Sequence, residues 1–588
     1  MPPRYRGVRA AAPIPRRAPP SRERDEVSAD GTNVARMADN DADLARLGTE
    51  FWEWRAANSF RTSDDIPRIE RPAGWVPRFA PEAVDAQRRE LAGFVEQWRA
   101  TDVSRLPVPD QVDHRLLGSA LARVRWELDV LRNWERDAVF LTSQILGPWF
   151  DLLLEPSPFG AARQADLVAV LDAVPRAVEQ AIANLERAGV AALARVAAAE
   201  LDGIGSRLAD SVSALAAEVD AETAAALAEA QPAASAALTR YAQWLEASVG
   251  RLGPEVIVGR DAFVWYLRHV ALVATEPDEL VRGALQEYRR AVAAETISRN
   301  RHRDVPEAPL AHDVTAEIAA EATAEADVRG LYEREGLLSQ PESLRRYRFA
   351  EYPAYLEPVA FLGVTDDLAN ERSRERDAVS YVPAPAAELP YFDAANARDP
   401  RLGIIHEGAH SQQLALSWGH PRAMRRHYVD SVANEGIAHY NEELMLDVGL
   451  FDDAPHSQTT VHNFMRLRAL RVVVDVNLAT GVFGLDEAID FFVRLVPMDA
   501  LTATEETSYY VATPGLAMAY LVGKLEVKRL LADAVVARGD DFSLREFHDS
   551  LWLNGNVPVS LQRWELLGDR GDVDVLDAAG DWVETFPG

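Results

Sequence analysis

A chain of 588 residues with 48% hydrophobic and 26% charged residues has the composition of a water-soluble globular protein, and it is long enough to bury a large core. Its net charge of −30 argues against nucleic acid or an anionic membrane surface as a partner, because both attract a positive protein face. The sequence has no cysteine and no run of about 18 apolar residues, which excludes disulfides and thiolate metal ligands and argues against a membrane span.

The first 36 residues are rich in proline and arginine and show no apolar periodicity, so we predict a disordered tail over 1–36. The tail lacks the apolar segment of a secretory signal, and an arginine-rich targeting peptide is the alternative. Met37 precedes the first patterned segment and is the candidate start of the protein. We therefore predict a cytoplasmic protein.

Helical periodicity dominates the chain from there to residue 350. Apolar residues recur at three- and four-residue steps from Leu44 to about Glu155, and residues 160–250 are alanine-rich and helical without a fixed repeat. A break is predicted at Gly250–Gly259 and a polar interruption at 296–312. Further helices are predicted at 260–273, 277–295, 315–335 and 341–350.

The sequence changes character between Tyr352 and Pro400, where prolines interrupt short β-prone pieces at 379–382 and 391–392. These pieces predict a small sheet beside the helix that follows. An edge strand there could pair with the backbone of an extended peptide. Helices then resume, and we predict them at 402–418, 429–448, 461–478, 485–495, 516–538 and 544–551.

The helix over 402–418 contains a metal-binding pattern, His406-Glu407-Gly408-Ala409-His410. Two histidines four residues apart lie on one helix face and can reach a single metal ion. Glu407 would then act as general base toward a metal-bound water molecule. Apolar flanking residues predict that this helix is buried, and buried histidines need a partner. The alternative is a surface helix with two solvated histidines.

A third ligand is predicted on the next helix. Glu435 follows His410 by 25 residues and has apolar neighbours, although a capping or solvated glutamate is the alternative. His439 and Glu442 lie on the same face and are predicted to hold a ligand imidazole in the right tautomer. Because cysteine is missing, the predicted cofactor is Zn²⁺ bound by histidine and carboxylate.

Hydrolysis at such a centre needs a donor for the developing oxyanion. Tyr510 and Tyr520 stand on either side of the Pro514-Gly515 break, and a phenol donates a hydrogen bond without carrying charge at neutral pH. The alternative is that both tyrosines belong to the core.

These motifs resemble the bacterial family catalogued as domain of unknown function 885, a group similar to zinc metallopeptidases, over about 44–566. The segment from Glu435 to Glu442 is similar to that family's Glu-Gly-Trp-Ala-Leu-Tyr-Ala-Glu. The segment from Pro514 to Gly523 is similar to its Pro-Gly-Gln-Ala-x-x-Tyr-x-x-Gly, and Phe547-His548-Asp549 with Asn554, Gly555 and Pro558 is similar to its C-terminal motif.

The resemblance implies a mainly α, cleft-bearing fold of the gluzincin type, like the thermostable carboxypeptidases and oligopeptidases. We expect a single integrated domain over 37–575, in which residues 37–350 form one helical wall of the cleft and residues 351–588 carry the zinc site. The chain departs from the family at His410-Ser411-Gln412-Gln413, where relatives have Pro-Gly-His-His. It also lacks the family's histidine at Ala479, its arginine at Tyr509 and its glutamine at Leu516.

The first hypothesis is a zinc metallopeptidase that hydrolyses short peptides, with Glu407 activating water and Tyr510 or Tyr520 near the oxyanion. An amidase acting on a peptide-like metabolite would use the same chemistry. The departures at Ala479, Tyr509 and Leu516 motivate a second hypothesis, a non-hydrolytic zinc-binding protein on the same scaffold. A third, a purely structural helical protein, requires the metal motif to be accidental.

Overall fold

The computed structural model describes residues 31–61, 70–254, 257–310, 313–368, 370–383, 389, 391–496 and 498–587. For residues 31–42 and 501 only the backbone is described. The predicted tail therefore lies outside the described residues up to residue 30. Helix α1 covers Gly31–Asn58 and so includes residues 31–36 of the predicted tail.

Twelve helices make up the described part of the chain before residue 340: α1, α2 (Pro81–Ala100), α3 (Val108–Arg125), α4 (Asn133–Arg136), α5 (Ala138–Leu154), α6 (Ala161–Ala188), α7 (Ala191–Glu200), α8 (Ile204–Leu215), α9 (Ala221–Ser248), α10 (Arg260–His269), α11 (Pro277–Arg301) and α12 (Val314–Arg334). A π-helical segment, Trp126–Leu131, joins α3 to α4. Helix α11 continues to Arg301, past the polar interruption predicted from residue 296. The helical prediction for this region is otherwise confirmed.

The second part of the chain is also mainly helical: α13 (Tyr391–Asn396), α14 (Arg401–Gly403), α15 (Ala409–Ser417), α16 (Ala423–His427), α17 (Ser431–Asp447), α18 (Pro455–Thr480), α19 (Leu485–Leu495), α20 (Ala500–Ala512), α21 (Ala519–Arg538), α22 (Leu544–Leu553), α23 (Val559–Leu567) and α24 (Gly571–Ala578). Short 3₁₀ turns cover Glu357–Leu362 and Gly539–Asp541. A π-helical turn, Ile404–Gly408, connects α14 to α15 without a break. We call the continuous stretch over 401–417 the His-Glu helix.

A three-stranded sheet in the order β1-β3-β2 confirms the predicted minor sheet: β1 (Tyr347–Glu351), β2 (Asp366–Asp367) and β3 (Ala378–Val382). Strands β1 and β3 are parallel, with Tyr347 opposite Ala378, and β2 runs antiparallel to β3. The sheet lies beside the His-Glu helix, since a side chain on Gly408 would touch the Tyr347 ring. The fold class is therefore mainly α with a small sheet, as predicted.

Two local predictions failed at this sheet. The helix predicted over 341–350 is strand β1 instead, because its β-prone aromatic residues pair with β3. The β-prone pair at 391–392 begins helix α13, where both rings pack against Phe464 with centroids 5.8 and 5.5 Å away. At 391–392, tertiary contacts outweighed local β-propensity.

The hydrophobic core holds the His-Glu helix in place. Its apolar residues Leu402, Ile404 and Ile405 are buried in one cluster with Ile437 of α17 and Val527 of α21. The largest core cluster has members on both sides of residue 350, from Leu44 to Trp582. Within the described ranges, no helix is both long and apolar enough to cross a bilayer.

Helices α17 and α21 cross in direct backbone contact. A Cβ atom on Gly436 would lie 2.4 Å from the Gly523 Cα, and one on Gly523 would lie 1.8 Å from the Val432 carbonyl oxygen. Real Cβ atoms do not approach this closely, so both positions require glycine. The crossing sets Glu435, beside Gly436, close to the start of α21, which carries Tyr520.

Candidate metal centre

Three side chains from two elements converge at the His-Glu helix. One ligand atom each from His406, His410 and Glu435 lies within 4.8 Å of the other two. The Nε2 atoms of both histidines are 3.3 Å from Glu435 Oε2. Both histidines are buried, and this is the only group of its kind among the described residues. The structure thus brings together the three residues that the sequence analysis proposed as metal ligands.

The hydrogen-bonding state of Glu435 indicates what the cluster is built for. Its Oε2 atom is buried and makes no hydrogen bond to any described residue, although two imidazole nitrogens lie 3.3 Å away. Both nitrogens are thus within reach of Oε2 without forming a hydrogen bond to it. Two imidazole nitrogens and a carboxylate oxygen around a common space fit a metal ion, which would accept a lone pair from each of them.

The charges in the cluster are mutually dependent. Burial and the positive charge of Arg468 would lower the pKa of His406, but contacts with Glu435 and Glu442 outweigh them and raise it to about 9. Burial would raise the pKa of Glu435, but the two histidines hold it below its usual range. Glu435 is therefore a carboxylate at neutral pH, which is the form that binds a cation.

A π-helical turn runs through the motif, which the sequence analysis treated as regular α-helix. The turn covers Ile404–Gly408, and π-helical turns often occur at functional sites. The side-chain amide of Asn441 on α17 donates to the Ile405 carbonyl oxygen at 2.7 Å, and Tyr332 of α12 donates to Asn441 at 2.8 Å. The geometry of the motif is thus fixed by two neighbouring helices.

Behind His406, a buried ion pair orients the ring. Nδ1 of His406 and a guanidinium nitrogen of Arg468 are each 2.7 Å from Glu442 Oε1. Burial would raise the pKa of Glu442, but Arg468, His439 and His406 hold it well below its usual range. Because Nδ1 faces this carboxylate, Nε2 is left to face the centre of the cluster.

His410 is oriented in the same way by a different group. Its Nδ1 atom is 3.3 Å from the side-chain oxygen of Asn434, the residue before Glu435. The amide oxygen can only accept, so Nδ1 carries the proton and Nε2 is free for a ligand. The rings of His406 and His410 stand perpendicular, with centroids 4.9 Å apart.

His439 lies behind Glu442 and does not reach the cluster. Its Nδ1 donates to Glu442 Oε2 at 2.9 Å. Burial, followed by the charge of Lys524, lowers the pKa of His439 to about 3, so the imidazole is neutral. His439 therefore contacts Glu442, whereas the sequence analysis proposed that it holds a ligand imidazole.

The two candidate tyrosines have different positions. The ring of Tyr520 stacks on the ring of His406, with centroids 5.7 Å apart and planes 10° from parallel. Burial and the negative charge of Glu435 raise the pKa of Tyr520 well above 10, so it stays protonated. Tyr510 donates instead to Glu506, which forms a salt bridge with Arg471. Of the two tyrosines, the geometry places Tyr520 beside the cluster.

A buried carboxylate holds the turn before Tyr520. Asp475 of α18 accepts hydrogen bonds from the backbone N–H groups of Gly515 and Met518, both at 2.9 Å. Gly515 has φ +95°, a conformation that favours glycine. Burial raises the pKa of Asp475 to about 7. The hydrogen bonds to Asp475 thus stabilise the turn at Pro514-Gly515, which leads into α21.

Two further acidic residues, Asp366 on strand β2 and Glu321 on α12, have raised pKa values. Asp366 of β2 accepts from the Tyr347 hydroxyl at 2.7 Å, and burial and the charge of Glu407 raise its pKa to about 7. Burial, followed by the charges of Glu317 and Asp366, raises the pKa of Glu321 to about 8. The sequence analysis missed these residues, because acidic side chains on a distant helix and strand carry no local signal.

The raised pKa of Glu321 predicts a pH-dependent stability. Between its ordinary value of 4.5 and about 8, the folded protein holds a proton on Glu321 that the unfolded chain releases, so stability falls as pH rises through this window. We expect Glu321→Gln to gain thermal stability relative to the parent between about pH 5 and about pH 8.

Melting temperatures of both proteins across that range measure this effect. The control is Glu333→Gln, which removes the same charge from an exposed position on the same helix and should follow the parent at every pH. Parallel curves for Glu321→Gln and the parent would contradict the prediction.

The C-terminal motif Phe547-His548-Asp549 connects α22 to neighbouring segments. His548 Nε2 lies 2.8 Å from the Tyr440 hydroxyl, and His548 Nδ1 lies 2.8 Å from the Leu337 carbonyl oxygen. Asp549 accepts from the backbone and side chain of Ser339. Burial lowers the pKa of His548 to about 4, so this histidine is a neutral link between α22 and α17.

The fold and the site together define a mainly helical protein with a cluster of two buried histidines and one glutamate on helices that lie beside a small sheet. The sequence matches the family described as "Bacterial protein of unknown function (DUF885)" over residues 69–566, and the chain belongs to this family. No curated protein matches the sequence.

Two solved bacterial structures share the fold. One, from Shewanella oneidensis, is described as a "putative lipoprotein of unknown function"; it is 14% identical, with a TM-score of 0.63 over 91% of this chain and 99% of that one. The other, a "putative lipoprotein" from Colwellia psychrerythraea, is also 14% identical, with a TM-score of 0.68 over 92% and 99%. At this identity the likeness shows the architecture alone.

Proposed function

We propose that the protein is a zinc-dependent hydrolase that cleaves short peptides or peptide-like amides. The observation that carries the proposal is the buried convergence of His406, His410 and Glu435, with Glu435 Oε2 lacking a hydrogen bond. Supporting contacts to Glu442 and Asn434 turn both Nε2 atoms toward the same space. We include in the proposal that this arrangement of two histidines and a glutamate is a site of the gluzincin type.

The donor set fits zinc. Two imidazoles and one carboxylate are the protein ligands of many catalytic zinc sites, and three ligands leave a position for water or substrate. A bound zinc ion would supply Lewis acidity for the attack of water on an amide carbonyl. The sequence has no cysteine that could close the site with a fourth, thiolate ligand.

Glu407 is the proposed general base. It lies in the same π-helical turn as His406, but it is less buried than the two histidines and is not part of the converging group. A carboxylate there takes a proton from the attacking water and later gives it to the leaving amine. The neutral hydroxyl of Tyr520 makes no hydrogen bond to the described residues, so it is available to an oxyanion.

The sheet edge offers a place for the backbone of a substrate. Strand β2 pairs with β3 on one side, and no described strand pairs with its other side. An extended peptide can add to such an edge through main-chain hydrogen bonds, which bind without selecting a sequence. This arrangement supports a peptide as substrate over a compact metabolite.

A pooled-peptide digest analysed by mass spectrometry tests the function. We expect the zinc-loaded protein to cleave a subset of short peptides, and the cut positions distinguish removal of end residues from internal cleavage. Intact peptides in the presence of about one zinc per chain would contradict hydrolysis and favour the non-hydrolytic binding protein. A purified protein without bound metal would favour the structural hypothesis.

The carboxylate behind His406 gives a further prediction. Glu442→Gln keeps the shape of the side chain but removes the charge that orients His406 and pairs with Arg468. Loss of such a supporting group costs about 10- to 100-fold in metal affinity. Competition with a zinc chelator measures the change in Kd.

The matched control for Glu442→Gln is Glu443→Gln at the next position. Glu443 is also buried, but it faces Lys524 and Lys528 instead of the cluster. We expect its zinc affinity to stay within a few-fold of the parent. Equal losses in both variants would show that the effect comes from general destabilisation.

We also propose a cytoplasmic location. The two solved structures are described as putative lipoproteins, which would instead indicate a membrane-anchored protein. Fractionation of the source cells, followed by detection with an antibody, separates the two: recovery in the membrane fraction would contradict our proposal.

A further inference from the structure

Asn441 is a fully buried polar residue on α17, and both ends of its side-chain amide are used. The nitrogen donates to the Ile405 carbonyl oxygen at 2.7 Å, and the oxygen accepts from the buried Tyr332 hydroxyl at 2.8 Å. Two hydrogen bonds in the core therefore link α12 and α17 to the His-Glu helix. A buried polar chain of this kind favours one arrangement of the three elements, because another arrangement would leave its groups unpaired.

The backbone hydrogen bonds of the π-helical turn show what the Asn441 amide does. In a regular α-helix the Ala409 N–H group would donate to the carbonyl oxygen of Ile405, four residues earlier. Here the Ala409 N–H group donates to the His406 carbonyl oxygen instead. The Asn441 amide supplies a donor to the Ile405 carbonyl oxygen. A side chain that enters the backbone hydrogen bonding in this way is a known cause of local departure from α-helical geometry.

The groups that hold the cluster form a regular pattern on α17. Asn434 and Asn441 are seven residues apart, which is about two helical turns. Glu435 and Glu442 repeat this spacing, so the four residues lie in two adjacent rows along the helix. Asn434 and Glu442 contact the rings of the two histidines, whereas Asn441 contacts the backbone of the motif. His406 is therefore held at two points, its ring by Glu442 and its turn by Asn441.

We propose that Asn441 is a positioning residue for the metal centre: it maintains the π-helical turn, and this turn sets the direction in which His406 Nε2 faces the ion. Without the amide, the Ile405 carbonyl oxygen is free to accept from the Ala409 N–H group, and the turn becomes α-helical. The residues of the turn then change their angle around the helix axis, so His406 turns relative to His410. The proposal rests on the metal centre of the proposed function, but not on hydrolysis.

The zinc affinity and the cobalt spectrum of Asn441→Leu test this role without any cleavage. Leucine has the branched shape of asparagine, but it cannot donate to the Ile405 carbonyl oxygen. We expect zinc to bind about 10- to 100-fold more weakly in competition with a chelator, as for the loss of other groups that support a metal ligand. We also expect a changed visible absorption spectrum of the cobalt-substituted protein, because the spectrum reports the geometry of the ligands.

The matched control is Asn184→Leu, the same substitution at another fully buried asparagine. Asn184 of α6 donates to the carbonyl oxygens of Phe79 and Trp134 and not to the His-Glu helix. Its loss should lower the melting temperature, because two buried carbonyl groups lose their donor. We expect its zinc affinity to stay within a few-fold of the parent and its cobalt spectrum to be unchanged. Asn441→Ala is a second variant that avoids the larger side chain, and it should behave like Asn441→Leu.

Three results would overturn the proposal. The first is a parent-like zinc affinity and cobalt spectrum in both Asn441 variants. The second is an equal loss of affinity in Asn184→Leu, which would show general destabilisation. The third is a crystal structure of Asn441→Leu that keeps the π-helical turn. The failure of the proposed function is separate, because it is measured as cleavage by the parent: a parent that binds zinc but cleaves nothing contradicts only the hydrolase.

Discussion

Glu407→Gln is expected to keep about one zinc per chain and to lose peptide hydrolysis by about 10²- to 10⁴-fold in kcat/KM. The amide has nearly the shape of the carboxylate, but it cannot accept a proton from water. Glu407 is not one of the three converging groups, so the metal should remain. Metal analysis of the purified protein and kinetics on a peptide that the parent cleaves measure both effects.

The matched comparison is Glu435→Gln, the same chemical change at the converging carboxylate. Removal of that charge should lower the zinc content and the activity together, because Glu435 is the anionic member of the cluster. A variant that loses activity but keeps its zinc identifies a base, and a variant that loses activity and zinc together identifies a ligand. A Glu407→Gln protein as active as the parent would refute the mechanism.

Gly523→Ala is expected to destabilise the protein by at least about 3 kcal/mol, at the upper end for overpacking of a core. The added methyl group would lie 1.8 Å from the Val432 carbonyl oxygen and 2.6 Å from Gly436 Cα. Both are backbone atoms, so helices α17 and α21 must move apart. Because α17 carries Glu435 and α21 carries Tyr520, we also expect weaker zinc binding.

Denaturant unfolding and zinc titration measure these two effects. The control is Gly93→Ala in α2, where a Cβ atom would meet nothing within 4 Å. Alanine there should stabilise the helix by about 0.5–1 kcal/mol, so the same substitution has opposite signs at the two sites. A Gly523→Ala protein with the stability of the parent would contradict the close crossing.

The sequence predicted the parts of the site that depend on short spacings. His406 and His410 lie one turn apart in one helix, and the apolar residues around Glu435 marked a second buried helix. The helical class and the minor sheet also followed from periodicity and proline content. Local pattern is sufficient for such features because helix and strand geometry fix which residues share a face.

Of the groups that surround the ligands, Glu442 could be predicted from its place on the face of Glu435, but others could not. Arg468 of α18 pairs with Glu442, and Asn441 of α17 donates to the Ile405 carbonyl oxygen; nothing in their immediate sequence distinguishes them from ordinary buried polar residues. The π-helical turn was missed for a related reason. The Ile405 carbonyl oxygen in this turn accepts a hydrogen bond from Asn441, which lies 36 positions along the chain, and not from a local residue.

Helix α12 carries two groups with separate contacts: Glu321 near Asp366, and Tyr332 hydrogen-bonded to Asn441. Eleven residues of a rigid helix, about 16 Å, separate them. A ligand that shifted α12 would therefore also shift the helix that supports the π-helical turn beside His406. By thermodynamic reciprocity, any effect of such a ligand on metal affinity must equal the effect of the metal on the affinity for that ligand. Metal binding and ligand binding would then be coupled through α12.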